Sequence, residues 1–183
     1  LFDSKADRIY QRIRGGIILQ GPRGSAAAVV AEGAVLRPPA LMYLVGLATA
    51  TDAGGIIEQA NELMVDRHCD DWYNDYSDTA GLRFLDQHNS RVREIRAKSL
   101  YVNKVAHADA GLAYFLNTLK DALIPGKRLL HLDEFEGEVN AALAGISSNE
   151  ITTAKFEDNP LVSALAMAVA SLMSSSYTYG QER

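Results

Sequence analysis

The stretch GLRFLDQHNSRVREIRAKSLYVNKVAHADAGLAYFLNTLKDAL, residues 81–123, is the longest run of the chain with a helical period. At 100° per residue, Phe84, Leu85, His88, Val92, Ile95, Ser99 and Val102 fall within one arc of about 100°, the width of a core-facing stripe. Ser99 is small enough to sit in that stripe by bonding back to the carbonyl of Ile95. After His107 the pattern restarts at Leu112, Phe115, Leu116, Leu119 and Leu123, and Ile124-Pro125-Gly126 ends it. The spacing therefore predicts long helices across the middle of the chain. Arg93, Arg96 and Lys104 lie on one flank of the first apolar stripe, with Arg91 and Lys98 on the other.

The segments around it extend the helical pattern. Residues 1–14, LFDSKADRIYQRIR, place Phe2, Ala6, Ile9 and Ile13 on one side of an amphipathic helix that is read as an arm, with Gly15-Gly16 as its stop. The run Ile17 to Gln20 leads into Gly21-Pro22-Arg23-Gly24-Ser25 and then an alanine-rich segment read as helix. Arg37-Pro38-Pro39 breaks the chain, and the uncharged run Ala40 to Ala50 is expected to be a buried helix. Helical spacing returns from Ile56 to Cys69, with Ile56, Ala60, Leu63 and Met64 inside. Short strands are expected at 127–132 and 151–156. Asp133 is positioned to cap a helix that ends at Gly145, with Glu136 three residues on. A last helix, Leu161 to Ser174, is apolar nearly all round, so it is either central to the core or packed on another subunit. The tail 175–183 is polar and expected to fray.

These elements predict a mainly α fold. The expected architecture is a single domain, residues 1–183, built as a bundle of about six helices with two or three short peripheral strands. A chain of 183 residues is the size of one such unit, with 48% hydrophobic and 22% charged residues. The longest apolar runs fall short of the roughly 20 residues a membrane span requires. The lone Cys69 excludes an internal disulfide and suits a reducing cytoplasm. Leu1 in place of a starting methionine is read as a trimmed, processed or partial chain.

Charge is unevenly placed. The net of −5 hides a block at 91–104 with five Lys/Arg against one acid, and blocks at 61–90 and 131–158 with seven acids each. An acidic protein with local basic patches is not a general polyanion binder, yet one face of it can be.

Three chemistries follow from particular residues. The loop Gly21, Arg23, Gly24, Ser25, lying between an apolar run and a presumed helix, has the order of an anion-binding loop. It lacks the lysine of a P-loop and the third glycine of a dinucleotide fingerprint. Asp70, Asp71, Asp75 and Asp78 cluster with Trp72 and Tyr73; on a helix Asp71, Asp75 and Asp78 would share a face, a spacing suited to Mg²⁺. Finally Arg91, Arg93, Arg96, Lys98 and Lys104, with Tyr101 to stack, form a ridge fit for partner or phosphate contacts. Each of the four histidines has an acid nearby in sequence, without any metal-ligand spacing. No catalytic residue is assigned, and no cofactor is expected apart from the Mg²⁺ alternative.

By elimination, the expected function is a structural or interaction subunit that self-associates or docks into a larger assembly, with a protein partner and no membrane span. The alternatives are a nucleic-acid-binding accessory protein using 91–104, and a small Mg²⁺-dependent phosphate or diphosphate enzyme on the aspartates.

Overall fold

The structure, a computed structural model, describes residues 2–3, 8–21, 23–34, 41–69, 71–75, 78–96, 98–105, 111–123, 129–144 and 159–173. Among the described residues, seven strands and five helices run in the order β1 (Phe2–Asp3), β2 (Arg8–Ile18), β3 (Ser25–Gly33), β4 (Met42–Ala50), α1 (Ala53–Asp66), β5 (Asp71–Asp75), α2 (Thr79–Glu94), β6 (Val102–Val105), α3 (Gly111–Leu123), β7 (Leu130–His131), α4 (Glu136–Ala144) and α5 (Pro160–Met173). A 3₁₀ turn, Asp133–Phe135, leads into α4.

This is an α/β fold, not a mainly α bundle. The sheet order is β6-β5-β2-β3-β4-β7, with β1 paired to β2 off that path. An antiparallel meander β2-β3-β4 forms the middle. On its flanks β5 pairs parallel with β2, β6 with β5, and β7 with β4.

Three segments expected to be helical are strands. The presumed arm helix at 1–14 gives way to β2 from Arg8 onward, the alanine-rich segment is β3, and the run Ala40 to Ala50 contains β4. Alanine favours helix in isolation, but that preference is worth well under 1 kcal/mol per residue and tertiary context overrides it. Here the context is a central strand covered on both faces. Ala26, Ala28 and Val30 pack toward α3, α4 and α5, while Ala27 and Val29 pack toward α1 and α2. Small side chains let both helical layers approach this strand closely, and a strand buried on both faces loses its polar alternation.

The long helix at 81–123 is also divided. Its first part ends at Glu94, Val102–Val105 is a strand, and the second part is α3. The buried positions of α2 are Gly81, Leu82, Leu85 and Asn89, so the real stripe is rotated from the expected one; Phe84 is 44% and Ile95 76% exposed. By contrast α1 and α5 form close to the expected places, and β7 lies within the strand expected at 127–132. The strand expected at 151–156, the end of the 134–145 helix at Gly145 and the tail 175–183 lie outside the described residues.

Helix α5 is the hub of one layer. Every residue from Val162 to Leu172 is buried, and the helix lies across β2, β3 and β5 with α3 and α4 packed against it. This removes the ground for the interaction-subunit expectation, which rested on unpartnered apolar surface at Leu161 to Met173 and Ala40 to Ala50. The α5 surface is covered by the chain's own sheet and helices, and Met42, Leu44, Gly46 and Ala48 of β4 are buried. Among the described residues, no helix is long and apolar enough to cross a membrane.

Two glycines test this packing in opposite directions. A Cβ on Gly16 would collide with the carbonyl of Ala164 in α5, whereas one on Gly137 in α4 would meet nothing within 4 Å. Gly16→Ala is expected to lower stability by about 2–3 kcal/mol, the cost of overpacking against rigid backbone. Gly137→Ala is expected to raise it by roughly 0.5–1 kcal/mol by stiffening the unfolded chain and favouring helix. Urea midpoints at unchanged m-value check both.

Candidate nucleic-acid interface

The basic residues are set by how α2 starts and stops. Asp78 caps its first turn, its Oδ1 accepting from the Gly81 N–H at 3.1 Å. Its Oδ2 accepts from the backbone N–H groups of Leu19 at 3.0 Å and Gln20 at 3.1 Å, and from the Asn74 amide at 3.4 Å. One carboxylate thus ties the ends of β2 and β5 to the start of α2. This is the point where the strand order reverses, the crevice in which open α/β sheets commonly bind ligands. With four donors on its two oxygens, Asp78 serves there as a structural anchor.

At the other end, Arg91 and Arg93 occupy the last turn, where cations offset the helix dipole. Ile95 donates to the Arg91 carbonyl and Arg96 to that of Arg93, and Arg96 sits at φ 59°. A left-handed residue after the last helical turn is the usual helix stop, but glycine normally fills it, because an L side chain there costs about 1–2 kcal/mol. The chain then returns to the sheet under firm control. The buried Asn89 side chain donates to the Leu100 carbonyl at 2.7 Å and accepts from its N–H at 3.1 Å, and Leu100 is fully buried.

This clamp holds the turn between α2 and β6 and displays what lies on it. Arg91, Arg93, Arg96, Lys98, Tyr101 and Lys104 are all exposed, Tyr101 at 71%. They do not line one continuous helix, as expected from the sequence, but follow the end of α2, its turn and the strand β6. Among the described residues, Arg91, Arg93, Arg96 and Lys104 form no ion pair, while Arg12 pairs with Glu32 and Arg14 with Asp71.

The other candidates are dispersed or differently used. Gly21, Arg23, Gly24 and Ser25 form a hairpin turn between two strands instead of leading into a helix. Gly24 donates to the Gly21 carbonyl with φ 106°, and the Ser25 hydroxyl bonds the Leu19 carbonyl. The backbone N–H groups of a helix start are thus absent from this loop. Of the aspartates, Asp70 lies outside the described residues. Asp71 and Asp75 are on a strand, where four residues span about 13 Å instead of one helical turn. Asp71 is engaged by Arg14, and burial pushes the neighbouring Tyr73 phenol above its ordinary range, with Arg14 opposing it. Among the described residues, no three His, Cys, Asp or Glu side chains come together as a metal set. His88 contacts the Asn61 amide at 3.2 Å, His131 stacks on Tyr43 at 5.1 Å, and His68 is the left-handed residue after α1. His107 lies outside the described residues.

The residue that sequence reasoning missed is Asn89. A polar residue at i+7 from Leu82 and i+4 from Leu85 was its signal, since a lone amide on a buried stripe needs a backbone partner.

Asp78→Ala is expected to cost about 2–4 kcal/mol, because it strands several donors as well as removing a cap. Asp52 caps α1 through the Gly55 N–H, and Asp52→Ala should cost only about 1 kcal/mol. Thermal melts of the two variants give the comparison.

No family model matches the chain, and no curated protein sequence matches it. In structure it is similar to the fowlpox virus Holliday junction resolvase, with 7% sequence identity, a TM-score of 0.48, and coverage of 88% of this chain and 98% of that one.

Proposed function

We propose that this protein binds nucleic acid through the basic rim formed by the end of α2, its turn and β6. The observation that carries the proposal is the display of Arg91, Arg93, Arg96 and Lys104 as exposed cations, unpaired among the described residues, on a turn fixed by Asn89. Lys98 lies between them in sequence and adds to the local charge.

Long basic side chains at the border of an apolar stripe ordinarily lie over it and keep their heads in water. The turn changes that geometry. The last buried residue of α2 is Asn89, and Ile95 beyond it is itself exposed, so the arginines at the end of the helix have passed its buried stripe. Left-handed backbone at Arg96 is a local strain where glycine would be easier, and such strain persists where a side chain is wanted. Phosphate contact supplies a reason for an arginine there, since its planar fork matches phosphate oxygens. The overall charge of −5 favours a localised contact over general polyanion binding.

The test is salt-dependent binding of a labelled oligonucleotide by fluorescence anisotropy. Binding is expected at about 50 mM salt and should fall steeply toward about 200 mM. The combined variant Arg91→Gln, Arg93→Gln, Arg96→Gln should weaken it at least tenfold and reduce the slope of log K against log salt by roughly 2, at close to 0.7–0.9 per lost phosphate contact. An oligonucleotide that fails to bind at low salt rejects the function. Arg96→Gly separates fold from contact: relief of the left-handed backbone should raise stability by roughly 0.5–1 kcal/mol, while affinity falls.

A further inference from the structure

We infer that the rim selects single-stranded nucleic acid, with Tyr101 as the platform on which a base stacks. The inference rests on the nucleic-acid function proposed above and names the form of the ligand.

Two large apolar side chains stand among the cations. Ile95 is 76% and Tyr101 71% exposed, the two highest exposures among the large hydrophobic residues described. Neither contributes to the core, and both lie within the stretch that carries Arg91 to Lys104. A ridge meant only for phosphates has no use for them.

The sheet register explains why Tyr101 is free to stack. Val102 pairs with Trp72, and Trp72 belongs to the layer under α1 and α2; Asn103 pairs with Tyr73, which belongs to the α5 layer. Side chains alternate along a strand, so Tyr101, one residue before β6, falls on the α5 side. There α5 lies across β2, β3 and β5, while β6 is the end of the strand order. Among the described residues α5 packs chiefly on β2, β3 and β5, so Tyr101, beside β6, stands at the margin of its cover. Its backbone is fixed on the preceding side by fully buried Leu100 and the two Asn89 bonds. With the backbone fixed, only the two side-chain torsions of the ring remain to be ordered when a ligand covers it.

Duplex nucleic acid offers such a ring nothing to stack on, because its base faces are already stacked on each other and only the edges are open in the grooves. An unpaired strand offers both parts together: phosphates for the arginines and lysines, and base faces for an aromatic ring. Stacking of this kind tolerates any sequence, since every base has a π face. The rim should therefore prefer strand state over sequence.

The experiment compares a single-stranded oligonucleotide with a duplex of the same length at one salt concentration, for the unaltered protein, Tyr101→Ala and Tyr101→Phe. Single strand is expected to bind at least tenfold tighter than duplex. Tyr101→Ala should lose about tenfold on single strand, leave duplex binding and the salt slope unchanged, and melt at the same temperature because the ring is exposed. Tyr101→Phe should keep the single-strand affinity, since the ring and not the hydroxyl is used. Equal affinity for the two forms, or a Tyr101→Ala variant that binds single strand normally, overturns the inference and leaves salt-dependent binding by the rim standing. Failure of both forms to bind at low salt removes the function on which it rests.

Discussion

The close contact between the backbones of α5 and β2 is the constraint on which the rest of the fold depends. A helix reaches strand backbone only where side chains are removed, and Gly16 removes one opposite the Ala164 carbonyl. The same requirement runs through the neighbouring elements: Ala26 and Ala28 on β3, and Ala164, Ala166, Ala168 and Ala170 on α5, are all fully buried. Small residues on both partners let α5 settle deep enough to be covered by α3 and α4 as well. Polar chemistry closes the far end, where Arg12 bonds the Leu172 carbonyl at 2.8 Å and Glu32 on β3. A guanidinium at the C-terminus of a buried helix satisfies a carbonyl and offsets the dipole together.

That constraint explains what was legible in the sequence. Helices α1 and α5 were readable, α1 from its one-sided spacing and α5 from its unbroken apolar run between Asn159-Pro160 and a serine-rich end. The central strands were not, because the residues that permit close layers are also good helix formers. In β4 the residues between the buried Met42, Leu44, Gly46 and Ala48 are uncharged too, and a register shift moves the buried positions from one face of the sheet to the other, so the period of two is invisible. In β2 a register shift between Tyr10 and Arg12 breaks the alternation, and Ile9 and Ile13 supply a false i, i+4 pair.

The candidate interface was half legible for a related reason. Charge is a local property, so the block at 91–104 could be seen without knowing the fold. Its shape depended on where α2 ends, and that is decided by a left-handed arginine in a place where sequence signals point to glycine. The aspartates show the converse. Their helical spacing suggested convergence, and the strand beneath Asp71 and Asp75 disperses them, while Asp78 is drawn into the junction of β2, β5 and α2.

The Asn89 amide has a consequence for how the molecule behaves among its own copies. A strand edge is a template onto which another chain can add, and proteins with open edges are prone to stack into fibrils. By giving Leu100 both of the bonds that a neighbouring peptide would give, a side chain on a helix imitates a further strand one residue long. Both backbone groups of Leu100 are thereby withheld from intruding backbone, two residues before β6 begins.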